Sequence, residues 1–256
     1  MRKASADGKP QPMQRLLAAA LLLVPLAARA DCLDQFPGKR APTASTAVTL
    51  LCSTSFATGY SAPTREPAWS VEHLTEEGVA AAERLQGRAT FHEDLRIPAN
   101  ERSQLLDYRR SGWTRGHMAP SGDAPTHDAR VETFALSNIV PQASKLNSGH
   151  WNQIEQNVRH LAEREGEIYV VTGPAFREPL GTIGPDHVRV PSSVWKAVYA
   201  PSLASVAVVV CKNSAPYSCN AVGLASLQRV TGVDPFPGVH SDERADKAGV
   251  GRMLLR

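Results

Sequence analysis

Between Trp113 and Arg159 the chain reads W-T-R-G-H-M-A-P-S-G-D, then S-N-I-V-P-Q, then L-N-S-G-H-W-N-Q-I-E-Q-N-V-R. The stretch sets His117 beside an arginine and a glycine, and adds two asparagines, Asn138 and Asn147. Glu155 and Arg159 follow at helical spacing. Those residue types suit metal-assisted cleavage of a phosphodiester. An imidazole takes a proton from water near neutral pH. An asparagine carboxamide offers a hard cation such as Mg²⁺ an oxygen ligand without adding charge. Guanidinium groups clamp a phosphate whose negative charge grows in the transition state.

Positioning these groups takes strands and a helix. An extended chain through 113–118 alternates faces, so Arg115 and His117 share one side and Thr114 and Gly116 the other. Thr114 is therefore expected to face away from the metal. Residues 131–136 are expected to form a second strand, ending at Ser137-Asn138. From Asn147 to Glu165 the pattern is helical, with Trp151, Ile154, Val158 and Leu161 on one apolar stripe. Asn147 at its start suits a helix cap. Yet it follows His117 by 30 residues, enough for a strand, turn and strand to bring the two together. Asn138 alone reads as a turn residue. Glu155 and Arg159 alone read as an exposed pair worth ~0.3–0.5 kcal/mol. His150 reads as a helix-surface residue, and the other histidines lack comparable company.

The order of motifs resembles the DNA/RNA non-specific endonuclease family, whose active site is a ββα-metal finger. Arg115-Gly116-His117 with Met118-Ala119-Pro120, Ser137-Asn138-Ile139-Val140-Pro141-Gln142, and Leu146-Asn147 with Trp151, Glu155 and Arg159 carry the likeness. Weaker similarity runs from about Cys52 to Pro237. The family motif opens D-R-G-H, and Thr114 stands in place of that aspartate. The resemblance implies His117 as general base and Asn147 as the only direct protein ligand of one Mg²⁺, with Mn²⁺ a possible substitute. It implies Asn138 as the residue that orients the site and Glu155 as the holder of metal-bound waters. Arg88, in the R-x-x-F-x-x-D run with Phe91 and Asp94, joins Arg115 and Arg159 as candidate phosphate contacts. The implied substrates are DNA and RNA, read through the backbone with little sequence specificity. The missing aspartate keeps alive a weakened nucleic-acid-binding protein, and the chemistry also fits a phosphodiesterase with another substrate. With Thr114 facing away, Thr114→Asp is expected to change kcat/KM by less than about tenfold, roughly 1.4 kcal/mol, and Arg115→Ala by more.

The remaining sequence sets the frame. The formal charge of +3 misleads, because residues 1–30 hold five of the 28 basic residues and one of the 25 acidic ones. Residues 31–256 are near −1, so no global basic field steers nucleic acid. The apolar run 16–28 and Ala28-Arg29-Ala30 predict a signal peptide, residues 1–30, cleaved before Asp31. The product is expected in the periplasm or secreted, with no membrane anchor. Cys32, Cys52, Cys211 and Cys219 contain no C-x-x-C. They suggest disulfides with three possible connectivities, of which Cys32–Cys52 and Cys211–Cys219 are favoured by proximity.

Residues 31–256 are read as one domain, with its core at about 52–240. Strand-like runs near 46–51, 69–71, 168–172, 188–191, 195–199 and 205–211 outnumber strand–helix alternations. They predict an α+β fold with a largely antiparallel sheet and packed helices. The ββα finger is expected at one edge. Residues 76–85 read as a helical turn or a polar loop, and 222–230 as a closing helix. Lys196 is expected on a solvated face, and the polar tail 241–256 is expected to be frayed.

Overall fold

The computed structural model describes Met1 and residues 32–256; the expected signal peptide and its cleavage point lie outside the described residues. In chain order the strands of four or more residues are β1 (Thr49–Cys52), β2 (Phe56–Ser61), β3 (Glu66–Thr75), β4 (Thr114–His117) and β5 (Ile139–Gln142). They continue with β6 (Glu167–Ala175), β7 (Ser193–Ala200), β8 (Ser205–Lys212) and β9 (Cys219–Val222). Seven of them form one sheet in the order β9-β8-β7-β6-β3-β2-β1, antiparallel at every pairing. The other two, β4 and β5, pair with each other. The helices that matter are α1 (Glu76–Arg84), α2 (His127–Thr133), α3 (Asn152–Glu165), α4 (Leu224–Thr231) and α5 (Val250–Leu254). The fold is α+β.

The long central strands read as nearly continuous apolar runs because both faces of the sheet are covered. On one face Leu74, Val170, Val194, Val198 and Val209 pack beneath Met118, Val140, Leu146, Trp151, Ile154 and Val158. On the other, Trp69, Val71, Val171, Trp195 and Val208 pack against Phe36, Leu227 and Phe236. The predicted stripe of α3, Trp151, Ile154, Val158 and Leu161, is buried throughout. Burying each such side chain contributes about 1.5–3 kcal/mol, which clamps α3 onto the sheet. Disulfides join Cys32 to Cys52 and Cys211 to Cys219.

Several expectations need correction. Residues 131–136 are not the second finger strand. Thr126 caps α2 by accepting from the Ala129 amide, and Val131 sits exposed on that helix. A short 3-10 turn at Leu136–Asn138 follows, and the second strand is β5. Residues 76–84 are a true helix, because Thr75 Oγ1 accepts from the Gly78 amide at its start. The tail is not frayed either: Val250 and Leu254 of α5 are fully buried in the core that α3 closes. Finally, the finger lies across the sheet face over β3, β6, β7 and β8, where apolar area is available, and not at an edge.

Candidate active site

The finger begins with the β4–β5 ladder, which pairs Thr114 with Gln142 and His117 with Ile139. On one side of β4 the His117 ring packs against Phe134, 4.8 Å between centroids, and Phe91, 5.3 Å. Burial, helped by the nearby Arg88 charge, lowers its pKa to about 4, so the imidazole is neutral at pH 7. Its Nε2 is buried with no hydrogen-bond partner among the described residues. Arg115, two residues away on the same side, lays its guanidinium over Phe91 (4.9 Å) and Tyr108 (5.7 Å). Arg88 is exposed and stands 5.9 Å from the Phe134 ring. Together Arg88, Phe91, Leu105 and Arg115 line an open cleft of about 540 Å³. Aromatic rings hold both guanidinium groups, and no carboxylate neutralises them among the described residues.

Asn138 is fully buried, and its carboxamide is saturated. The oxygen accepts from the Ala119 amide (2.9 Å) and from Ser70 Oγ (2.8 Å). The nitrogen donates to the carbonyls of Ala119 (2.9 Å) and Thr133 (3.0 Å). Its own carbonyl accepts from the Met118 amide at 2.9 Å. Asn138 thus ties the two residues after His117 to β3 and to the end of α2. No polar atom of its side chain is left over for substrate, so it positions the site and does not touch it. Asn138→Ala would orphan several buried groups, each costing about 1–3 kcal/mol. We expect it to destabilise the fold by at least about 3 kcal/mol in urea unfolding. A loss under 1 kcal/mol would contradict the hub.

On the other side of β4 lies the surprise. The strand alternates as expected, but facing away from His117 does not mean facing away from Asn147. The Thr114 hydroxyl is 3.4 Å from Asn147 Nδ2 and donates to the Gln142 carbonyl at 2.7 Å. Thr114, expected to face away from the metal, faces the Asn147 side chain, the candidate ligand, which removes the ground for a small effect of Thr114→Asp. The helical segment returns along the opposite side of the ladder, which strand periodicity alone does not reveal. The Asn147 side chain caps no helix: the residue sits in helical conformation in a widened turn, Asn147–Trp151, ahead of α3.

Glu155 and Arg159 do not pair with each other as a surface couple. Arg159 Nη1 bonds Asp123 Oδ1 at 2.7 Å, and the two side chains are only 16% and 2% exposed. Burial raises the Glu155 pKa to about 7; Lys196 and Arg159 pull it down while Asp123 pushes it up. Lys196 is 1% exposed, which corrects its expected place on a solvated face. Its ammonium donates to Thr172 Oγ1 at 2.7 Å and lies 5.2 Å from the Trp151 ring. Glu72, held well above the usual carboxylate range by burial, completes a buried charge cluster under α3. Asp123, Glu72 and Lys196 escaped the sequence reading. A signal existed for Lys196, since it alternates with Val194 and Val198 on one strand face, and both are core residues. His150 is exposed, as expected.

An antiparallel sheet carrying a ββα finger is consistent with the fold of a family of metal-dependent nucleases. The sequence matches the DNA/RNA non-specific endonuclease family over residues 38–242, and the chain belongs to that family. It is similar to mitochondrial nuclease EXOG of Danio rerio, 32% identical over 223 residues, 79% of this chain and 65% of that protein. With the Homo sapiens EXOG it shares 35% over 218 residues, 76% of this chain and 58% of that protein. A crystal structure of an EndoG/EndoGI complex aligns at a TM-score of 0.65 and 30% identity, covering 75% of this chain and 86% of that one. The chain thus spans less than two thirds of these two curated relatives.

Proposed function

We propose that this protein hydrolyses internal phosphodiester bonds of DNA and RNA with little sequence specificity. One observation carries the reading: a neutral imidazole packs on Phe91 beside two guanidinium groups that line one cleft and that no carboxylate pairs among the described residues. Arg88 and Arg115 bind phosphate oxygens there, giving residues 31–256, whose formal charge is near −1, a local grip on a polyanion. His117 takes the proton of the attacking water. Asn138 holds the segment behind His117 in place. Arg159, engaged by Asp123 on one nitrogen, is the third phosphate contact in this reading.

The donors suit a hard divalent cation. Among the described residues no group of three or more His, Cys, Asp or Glu is placed to hold a metal. A cation here would rest on the Asn147 oxygen and keep most of its waters, ordered by Glu155, which is how Mg²⁺ prefers to bind. When bound, Mg²⁺ or Mn²⁺ supplies positive charge at the scissile phosphate and the leaving 3′-oxygen.

The test is incubation of purified protein with plasmid and with RNA, in Mg²⁺ or in EDTA. Cleavage of both, abolished by EDTA, is expected; intact nucleic acid in Mg²⁺ would defeat the proposal. Export to the periplasm or beyond, with cleavage after Ala30, belongs to the same proposal and is supported by the two disulfides. Intact mass of exported protein tests it: a retained N-terminus, or thiols that alkylate without reduction, would refute it. Among the described residues no helix is long and apolar enough to cross a membrane.

A further inference from the structure

We propose that Thr114 is a positioning residue that fixes which end of the Asn147 carboxamide faces the metal. It acts through a relay from the Asn147 amide nitrogen to the Thr114 hydroxyl and on to the Gln142 carbonyl. The inference rests on the metal-dependent reading above and concerns the residue at which this chain departs from the family motif.

The geometry is short on one leg and longer on the other. Thr114 Oγ1 is 2.7 Å from the Gln142 backbone oxygen and 3.4 Å from Asn147 Nδ2. A threonine hydroxyl carries one proton and two lone pairs. A carbonyl oxygen only accepts, so the one proton is committed to Gln142. What Thr114 shows to Asn147 is therefore lone-pair density, which repels a carboxamide oxygen and accepts from an NH₂. The nitrogen must face Thr114, and the oxygen is left for the cation. This proton count decides between two amide orientations of nearly identical shape. No hydrogen bond occupies Asn147 Oδ1 among the described residues.

The fold holds the relay in register. Thr114 and Gln142 are direct cross-strand partners, and Gln142 is fully buried. Gly116, two residues along β4, leaves the space its side chain fills; a Cβ there would overlap the Gln142 amide. An aspartate at 114 would accept from the same NH₂ while adding a negative charge beside the ligand. Threonine orients the ligand and stays neutral.

The experiment is Mn²⁺ binding by electron paramagnetic resonance for wild type, Thr114→Val, Thr114→Ala and Thr114→Ser. Metal-free thermal unfolding is recorded for each, with plasmid nicking by wild type alongside. Valine keeps the branched shape a strand favours and removes only the hydroxyl. Alanine gives a second hydroxyl-free variant should valine pack poorly. Valine and alanine are expected to bind Mn²⁺ about tenfold more weakly, the lower end of what losing a ligand's supporting partner costs. Serine, which keeps the hydroxyl, is expected to bind near wild type. Wild-type affinity in either hydroxyl-free variant, or a serine variant as weak as valine, would overturn the relay. If wild type still nicks plasmid, either result removes the relay alone. A wild type that neither binds Mn²⁺ nor nicks removes the nuclease reading and the relay with it.

Discussion

His117→Ala should lower kcat by about 10²–10⁴-fold, the usual loss when a positioned general base is removed. Its ring contacts Phe91 and Phe134 at the edge of a cleft and makes no hydrogen bond through Nε2, so no buried partner is orphaned by the change. Folding and DNA binding should therefore stay near normal. The same residue contributes to the acidic side of the pH profile. Only the neutral ring accepts a proton, and that form is lost as pH falls through the folded-state pKa. Burial, with Arg88, holds this value at about 4, below the ordinary 6.5. His117 should then stay neutral at pH 6, where an unperturbed histidine is mostly protonated, which leaves Glu155, raised to about 7 by burial, as the site group that titrates nearest neutrality. Steady-state kinetics across pH on protein free of host nucleases checks both points. A mutant with wild-type kcat, or an acid limb at or above 6.5 that persists in Glu155→Gln, would remove His117 from the role.

The second large effect is expected at Asn147. Asn147→Ala should weaken Mg²⁺ binding by about 100-fold or more, since removing even a ligand's supporting partner costs 10–100-fold. Turnover at low Mg²⁺ should fall in parallel and recover only in part at high Mg²⁺. Because the Asn147 side chain caps no helix and bonds only to Thr114, stability without metal should change little. Metal titration of plasmid nicking, paired with urea unfolding of the metal-free protein, separates these quantities. An unchanged metal midpoint would strip Asn147 of its role as ligand. A large loss of metal-free stability would make it a structural residue.

Much of this was legible in the chain because it rests on local rules. The α3 stripe follows from a 3.6-residue period, and Trp151, Ile154, Val158 and Leu161 are buried as that period demands. The antiparallel sheet follows from hairpin-like strand runs. Arg115 and His117 share a side of β4 because side chains alternate along a strand. Their identity as a site came from motif order: histidine, asparagine or arginine alone has an ordinary structural use, and only their sequence together favours chemistry.

Tertiary structure decided whatever depends on residues distant along the chain. Residues 131–136 have strand-like composition, yet the helix that Thr126 caps takes in 131–133, and the second finger strand lies at 139–142. The tail is polar on average, but Val250 and Leu254 find a buried seat on the sheet, and Arg244 pairs with Asp234. Lys196 and Glu72 are charged residues on central strands, and no local rule says that α3 will cover them. Arg159 lies four residues from Glu155 but pairs with Asp123, which the fold brings up from 36 residues away. Thr114 shows the limit most plainly. Alternation fixes the side of the strand it faces, but what stands on that side is set by where the returning chain puts Asn147. Periodicity orients a side chain relative to its own backbone; only packing between elements supplies its neighbour.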